Sequence, residues 1–373
     1  MKEENDSIMY ELLRAALRPS KEPVVLSKTL SEDEWNAVHA KCIKQDQVGI
    51  AYRAICRLNK DQLPPRMLLF QWTQEAESIK GHNELLNAKA AYLTELFAKH
   101  GRKTAVLKGP ANARLYPDAF MRQAGDIDLW VDGGRESVVA LMKKLGMEFD
   151  DKDLSQHHAH LHEDENGVVV EIHYKVVPDL ANPFASRRMQ KFLETEIRKA
   201  ERVPEGFCVP SIKFALVMQL SHIQKHVFLG GIGLKQMLDY YILLQNSTEK
   251  DRREVKQILS NLGFMGTCAA LMWILEHVLG LEKSLMLCKP KERFGRKVLA
   301  EIDKGGHFGF FKRKDVTPRA HAIKWLKCRL RIFELFGLSP SEKIWREIGY
   351  WKDFAKTVPR RLKERRLYLS KKD

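Results

Sequence analysis

The chain has 373 residues, 44% of them hydrophobic and 30% charged, a balance that excludes a disordered or fibrous protein and leaves length for two or three domains. No apolar run reaches the roughly 18 to 20 residues that span a bilayer, and Met1–Leu13 is acidic and polar where a secretory leader would be basic and then apolar. The formal charge of +15 is local: residues 310–373 hold 19 Lys/Arg against 7 Asp/Glu, a net +12, leaving +3 for the rest of the chain. Such a segment attracts nucleic acid or an anionic membrane surface, or is simply a solvated basic helix face. The six cysteines, at 42, 56, 208, 268, 288 and 328, form no CxxC pair. Reduced thiols and a cytoplasmic location are therefore expected.

Residues 1–100 read as a helical region. Ser31-Glu32-Asp33-Glu34 is a capping-box pattern ahead of Trp35, Val38 and Ile43. Pro64-Pro65 then opens a long pattern from about Met67 to His100 that stops at Gly101. Residues 101–180 change character. Thr104–Leu107 and Ile127–Val131 predict strands, and Glu136–Leu145 predicts a helix ending at Gly146. Two more runs, 156–163 and 168–174, flank Asn166-Gly167, a strong hairpin signal. The pattern predicts a small mixed sheet. Helices are expected at 184–202, 211–228, 232–245, 251–262, 265–281 and again beyond 318. The expected fold class is α+β: a small core at 101–180 between helical regions at 1–100 and 181–300, with a basic helical segment at 301–373.

Asp126 and Asp128 stand at i and i+2, so on a strand both side chains share one face, about 7 Å apart, while Ile127, Leu129 and Val131 take the other. Two carboxylates held together need a cation to stay ionised, and Mg2+ is the hard ion suited to oxygen ligands and to bridging phosphates. Glu171 is an acid in a strand otherwise rich in β-branched residues, on the face opposite Val168, Val170 and Ile172. A two-residue turn at Asn166-Gly167 would set His162 opposite Glu171 and His160 opposite His173, lining one face with three histidines and one acid. A one-residue slip would undo that register.

Leu107-Lys108-Gly109, Tyr116-Pro117, Arg122, Gly125-Asp126-Ile127-Asp128-Leu129 and Glu171-Ile172-His173 together resemble an uncharacterised nucleotidyltransferase family within the polymerase-beta-like nucleotidyltransferase superfamily. The resemblance covers roughly residues 25–245 and is densest over 106–174. Pro110 stands where the wider superfamily has a second small residue. The resemblance implies that 101–180 is the nucleotidyltransferase core of a metal-dependent enzyme, which moves an NMP group from an NTP, ATP by default, to an acceptor. It implies that Asp126, Asp128 and Glu171 hold two Mg2+ or Mn2+ ions, with Glu171 also assisting deprotonation of the acceptor hydroxyl. Gly109 lets the backbone approach phosphate, and Pro110 suits the first turn of a helix whose amino end favours anions. Lys108 and Arg122 are candidate phosphate contacts.

Weaker constellations surround this set. The run His157, His158, His160, His162 could bind zinc, line the site or form a plain polar strand; closed zinc sites usually draw ligands from separate elements. His222 and His226, four apart on one expected helix, and Lys235 and Asp239 on the next, are candidate substrate-lining residues, or a solvated helix pair. Trp345, Tyr350 and Trp351 could stack on bases or meet a membrane, and packing is the commoner use of such residues. The alternative function is a catalytically silent adaptor that binds a nucleotide or nucleic acid through the basic carboxy-terminal segment.

Overall fold

The computed structural model describes residues 2–150, 154–229, 231–306 and 334–363, the side chains of 2–6, 229 and 359–363 excepted. Helices α1 (Lys2–Leu17), α2 (Glu32–Gln45), α3 (Val48–Ile55) and α4 (Arg66–Lys99) open the chain. The Ser31 capping box forms, with Glu34 Oε2 accepting from the Ser31 N–H at 2.8 Å. Strand β1 (Thr104–Val106) leads through a single helical turn, α5 (Pro110–Ala113), to β2 (Asp126–Val131), and then to α6 (Gly134–Lys144), β3 (His158–His160) and β4 (Val169–His173). Helix α7 (Pro183–Ile197), the short pair β5 (Glu201–Arg202) and β6 (Cys208–Val209), α8 (Ile212–Leu229), α9 (Leu234–Gln245), α10 (Glu249–Leu262), α11 (Met265–Leu279), α12 (Glu292–Gly305) and α13 (Pro340–Lys363) follow. The fold is α+β. Among the described residues no helix is long and apolar enough to cross a membrane.

The main sheet has the order β1-β2-β4-β3, with β2 and β4 parallel and the outer pairings antiparallel. Strand parity sorts its two faces. Ile127, Leu129 and Val131 of β2, with Val170 and Ile172 of β4 and Ala159 of β3, are buried against Leu86, Ala90, Leu93 and Phe97 of α4 and Val138 and Met142 of α6. The opposite face carries Asp126, Asp128, Glu171 and His173. Full burial of each of the Val, Leu and Ile side chains among them contributes about 1.5 to 3 kcal/mol, so the apolar face dictates which way the acids point.

A second apolar core joins distant parts of the chain. Residues of α1, α2, α3 and the first half of α4 bury with those of α7 through α12. Tyr10 donates to Asp303 at 2.9 Å, and the Gln45 amide to the Ile302 carbonyl at 3.0 Å. Helix α4 serves both cores, Trp72 and Ala76 in one and Leu86 to Phe97 in the other.

Three features depart from the sequence-based expectation. Helix α12 and the β5–β6 pair were not anticipated, because Glu292–Gly305 mixes charges with two glycines and gives no cap signal. The β3–β4 register differs by two residues: His160 pairs with Glu171 and His158 with His173. The turn is wider than two residues because the Asp164 carboxylate accepts the N–H groups of Asn166 and Val168, both at 3.1 Å, and the Asp164 carbonyl accepts that of Gly167. A two-residue shift preserves the face and changes the partner. Of the basic segment, 310–333 and 364–373 lie outside the described residues, as do the helices expected there. The described start of α13 is docked, with Glu342 accepting from the Ala181 and Asn182 N–H groups and Lys343 over the Phe228 ring at 4.0 Å.

Candidate active site

The site begins at the turn between β1 and β2. Gly109 has φ +63°, and a Cβ there would stand 2.8 Å from the Asp126 carbonyl oxygen, so only glycine fits without displacing the start of β2. Pro110 takes the first position of α5, which is one turn long, so the anion-favouring dipole expected there is slight. The loop before Asp126 is held from outside the sheet. Asn83 of α4 donates to the Phe120 and Arg122 carbonyls at 2.7 and 3.0 Å, and the Gln123 side chain accepts from Val48 at 2.8 Å.

Two rows of side chains cross the polar face. Asp128, Glu171 and His160 form one, and Trp130, His173 and His158 the next; Asp126 lies two residues before Asp128 on the same face. Lys108 reaches across from the turn, its ammonium 2.5 Å from Asp128 and 3.3 Å from Asp126. His173 Nε2 lies 3.0 Å from Asp128 Oδ1 and 3.2 Å from Glu171 Oε2. Ligand atoms of Asp128, Glu171 and His173 all come within 4.8 Å of one another.

The electrostatics follow from burial against these partners. Burial pushes the Asp126 carboxyl above its usual range, reinforced by the Asp128 charge and opposed by Lys108. Burial would raise Asp128 as well, but Lys108 and His173 hold it well below the ordinary carboxylate range. Burial opposes the charge on His173, yet its hydrogen bonds to Asp128 and Glu171 raise it to about 9. Glu171 is likewise held down, burial being outweighed by His173. The pair Asp128 and Glu171 is thus ionised, with Lys108 and an imidazolium as counter-charges.

Beside the acids lies a cavity of about 250 Å³, lined by Lys108, Gly109, Asp126, His222, Lys235 and Asp239 among others. His222 and His226 sit on α8 with their Nε2 atoms 3.0 Å apart. Burial and the neighbouring ring lower His222 well below the ordinary value, and burial with Lys225 lowers His226 to about 4. Lys235 reaches the cavity already paired with Asp46 and donating to the Gln123 carbonyl at 3.1 Å.

Arg122, a candidate phosphate contact, lines the cavity while gripping Asp239 with two bonds of 2.8 and 2.7 Å, and it is 5% exposed. Tyr116 and Asn112 complete the ring around that carboxylate at 2.8 and 3.2 Å. One expected position differs. His162 leaves the site: its N–H bonds the Glu148 carbonyl and its ring faces Glu148 and Asp150 at 3.7 and 3.8 Å. His158 takes the place on the sheet face that the shorter turn would have given His160. Strand parity already grouped these histidines; Asn112 had no sequence signal.

The core is thus α+β: a small mixed sheet with paired acids on one face, a Lys-Gly turn beside them and helices around it. The family model described as "Uncharacterised nucleotidyltransferase" matches residues 31–280, well over half of the sequence, and the chain belongs to that family. Among solved structures, the crystal structure of an antigenic nucleotidyltransferase-like protein from Paracoccidioides brasiliensis is similar at 15% identity and a TM-score of 0.32, over 53% of this chain and 93% of that one. No curated protein matches.

Proposed function

We propose that the protein is a metal-dependent nucleotidyltransferase that moves an NMP group from an NTP to an acceptor hydroxyl, with Asp126, Asp128 and Glu171 as its metal ligands. The observation that carries this is the polar sheet face, where the Asp128 and Glu171 side chains converge beside Asp126 and the cavity. The donor set fits Mg2+ or Mn2+: carboxylate oxygens crowded in a partly buried place, with cationic side chains now balancing them. Bound there, such ions would stabilise charge on the attacking and leaving oxygens of an in-line displacement.

The acceptor oxygen bonds to the α-phosphorus as the bond to the β-phosphate oxygen breaks, and pyrophosphate leaves. The ionised Glu171 stands on the acceptor side and draws the hydroxyl proton. Gly109 brings backbone close to the phosphates, and Lys108 supplies positive charge at the cavity wall. Arg122 acts through Asp239 by fixing the loop that delivers Asp126. The cavity is at the small end for a whole nucleotide and suits a triphosphate, with His222 above it. The helices around the core select the acceptor.

Titration calorimetry with each NTP, with and without Mg2+, tests this. Binding is expected to require the metal and to weaken on the order of a hundredfold or more in Asp126→Ala/Asp128→Ala. The wild type alone should move label from an α-labelled NTP onto a component of a cell extract. Undiminished binding by the double variant refutes the metal assignment, and metal-dependent binding without label transfer favours a silent nucleotide-binding fold.

A further inference from the structure

His158 and His160 lie at i and i+2 on β3, so both rings stand on the face that carries Glu171. Their Nε2 atoms are 2.9 Å apart. His160 Nδ1 is 3.4 Å from Glu171 Oε1, and His158 Nδ1 is 3.9 Å from Glu171 Oε2. One ligand atom from each of the three residues comes within 4.8 Å of the other two. Donors around a tetrahedral ion with bonds of about 2.0 to 2.1 Å sit roughly 3.4 Å from each other, so the spacing needs only side-chain adjustment.

Glu171 bridges two halves of the face. Its Oε1 is turned toward His160, while Oε2 faces His158 and meets His173, which in turn holds Asp128. The Asp126 and Asp128 side offers oxygen, and the β3 side offers imidazole nitrogen. These donor sets prefer different ions: Mg2+ takes oxygen and keeps its waters, whereas two imidazoles and a carboxylate suit a borderline transition ion. Access differs too. His158 is 13% exposed by side chain and Glu171 18%, but His160 is 46% exposed, leaving an entry path and room for a water or substrate ligand. The His158 Nδ1 atom is buried with no hydrogen-bond partner among the described residues, which a network closed by ordinary hydrogen bonds would not leave.

We propose that His158, His160 and Glu171 form a nitrogen-rich site for a borderline divalent ion such as Zn2+, adjoining the oxygen-rich acids and sharing Glu171 with them. This site touches the reading above only through that shared carboxylate, and its occupancy is measured without turnover. The face is then chemically asymmetric, with one position for a hard ion that travels with the triphosphate and one for a resident ion retained by the protein.

Zinc binding by the full chain is measured by competition with a chromophoric chelator in buffer holding excess Mg2+. One Zn2+ per chain is expected, bound despite the Mg2+, and weakened about a hundredfold or more in His158→Gln/His160→Gln. Asp126→Asn should bind zinc within about threefold of wild type while losing Mg2+-dependent NTP binding. X-ray absorption of the zinc-loaded chain should show nitrogen and oxygen ligands with the imidazole scattering pattern and no sulfur. The circular dichroism and unfolding midpoint of the zinc-free double variant, matching zinc-free wild type, establish that it folds. Full zinc affinity in that variant, sulfur in the absorption spectrum, or no zinc retained against Mg2+ each overturns the proposal. Failure of the acid variant to lose NTP binding would instead overturn the preceding reading and leave this one standing.

Discussion

Asp239→Ala removes the centre of the buried ring formed by Arg122, Tyr116 and Asn112. The Arg122 guanidinium is 5% exposed and Asp239 4%, joined by two short bonds. Truncating one partner of a buried ion pair costs about 3 to 5 kcal/mol, because the remaining charge is stranded. The lost bonds from Tyr116 and Asn112 add about 1 kcal/mol each, partly overlapping with that cost. We expect about 4 kcal/mol for Asp239→Ala and about 3 kcal/mol for Arg122→Met. The double variant Arg122→Met/Asp239→Ala strands neither charge of the pair, and should fall short of the summed cost by about 2 kcal/mol or more. Urea unfolding followed by tryptophan fluorescence reads this as a lower midpoint at unchanged slope. Single losses below about 1 kcal/mol, or strict additivity, would refute the claim that this pair holds the loop ahead of Asp126.

The same carboxylate sets a pH dependence. Burial would raise it, but Arg122 holds it below the ordinary aspartate range, so its contribution is whole above about pH 4 and is lost as pH falls through the depressed value. The stability gap between wild type and Asp239→Asn should therefore be constant from pH 7 to about 5 and narrow only in stronger acid; a gap that narrows near neutrality contradicts the assignment. Gly109→Ala places a methyl group 2.8 Å from the Asp126 carbonyl oxygen at a backbone angle of +63°. Thermal unfolding should show a loss of about 2 kcal/mol or more, and an unchanged midpoint would mean that the turn relaxes freely.

Much of the sheet was legible because strand parity is a local property. Ile127, Leu129 and Val131 alternate with Asp126 and Asp128, and the buried apolar set leaves the acids one direction to point. The capping box at Ser31 and the long helix ending before Gly101 were readable for the same reason. The β3–β4 register was not, because it depends on how the Asp164 side chain occupies the turn, which the Asn166-Gly167 dipeptide alone does not state. Arg122 was expected at the site from the dense motif around it, and it lines the cavity, but its pairing with Asp239 was not expected. Its partner lies 117 positions away on α9, and no local pattern announces a pairing of that span. Lys235 lines the cavity as expected, but its pairing with Asp46, far off in sequence, was equally invisible.

The core shared by the first and last described helices bears on how the chain folds during synthesis. Tyr10 and Asp303 are 293 positions apart. At about 5 to 20 residues per second, roughly 15 to 60 s pass between the synthesis of Tyr10 and that of its partner Asp303. Until α11 is made, the apolar stripe of Ile8, Met9, Leu12 and Leu13 has chiefly α2 and α3 to cover it. The sheet meets its own helices much sooner, since α4 and α6 lie close to it in sequence. The small core is thus built to close early, while the helical shell stays open to chaperones and to aggregation until translation has passed α12.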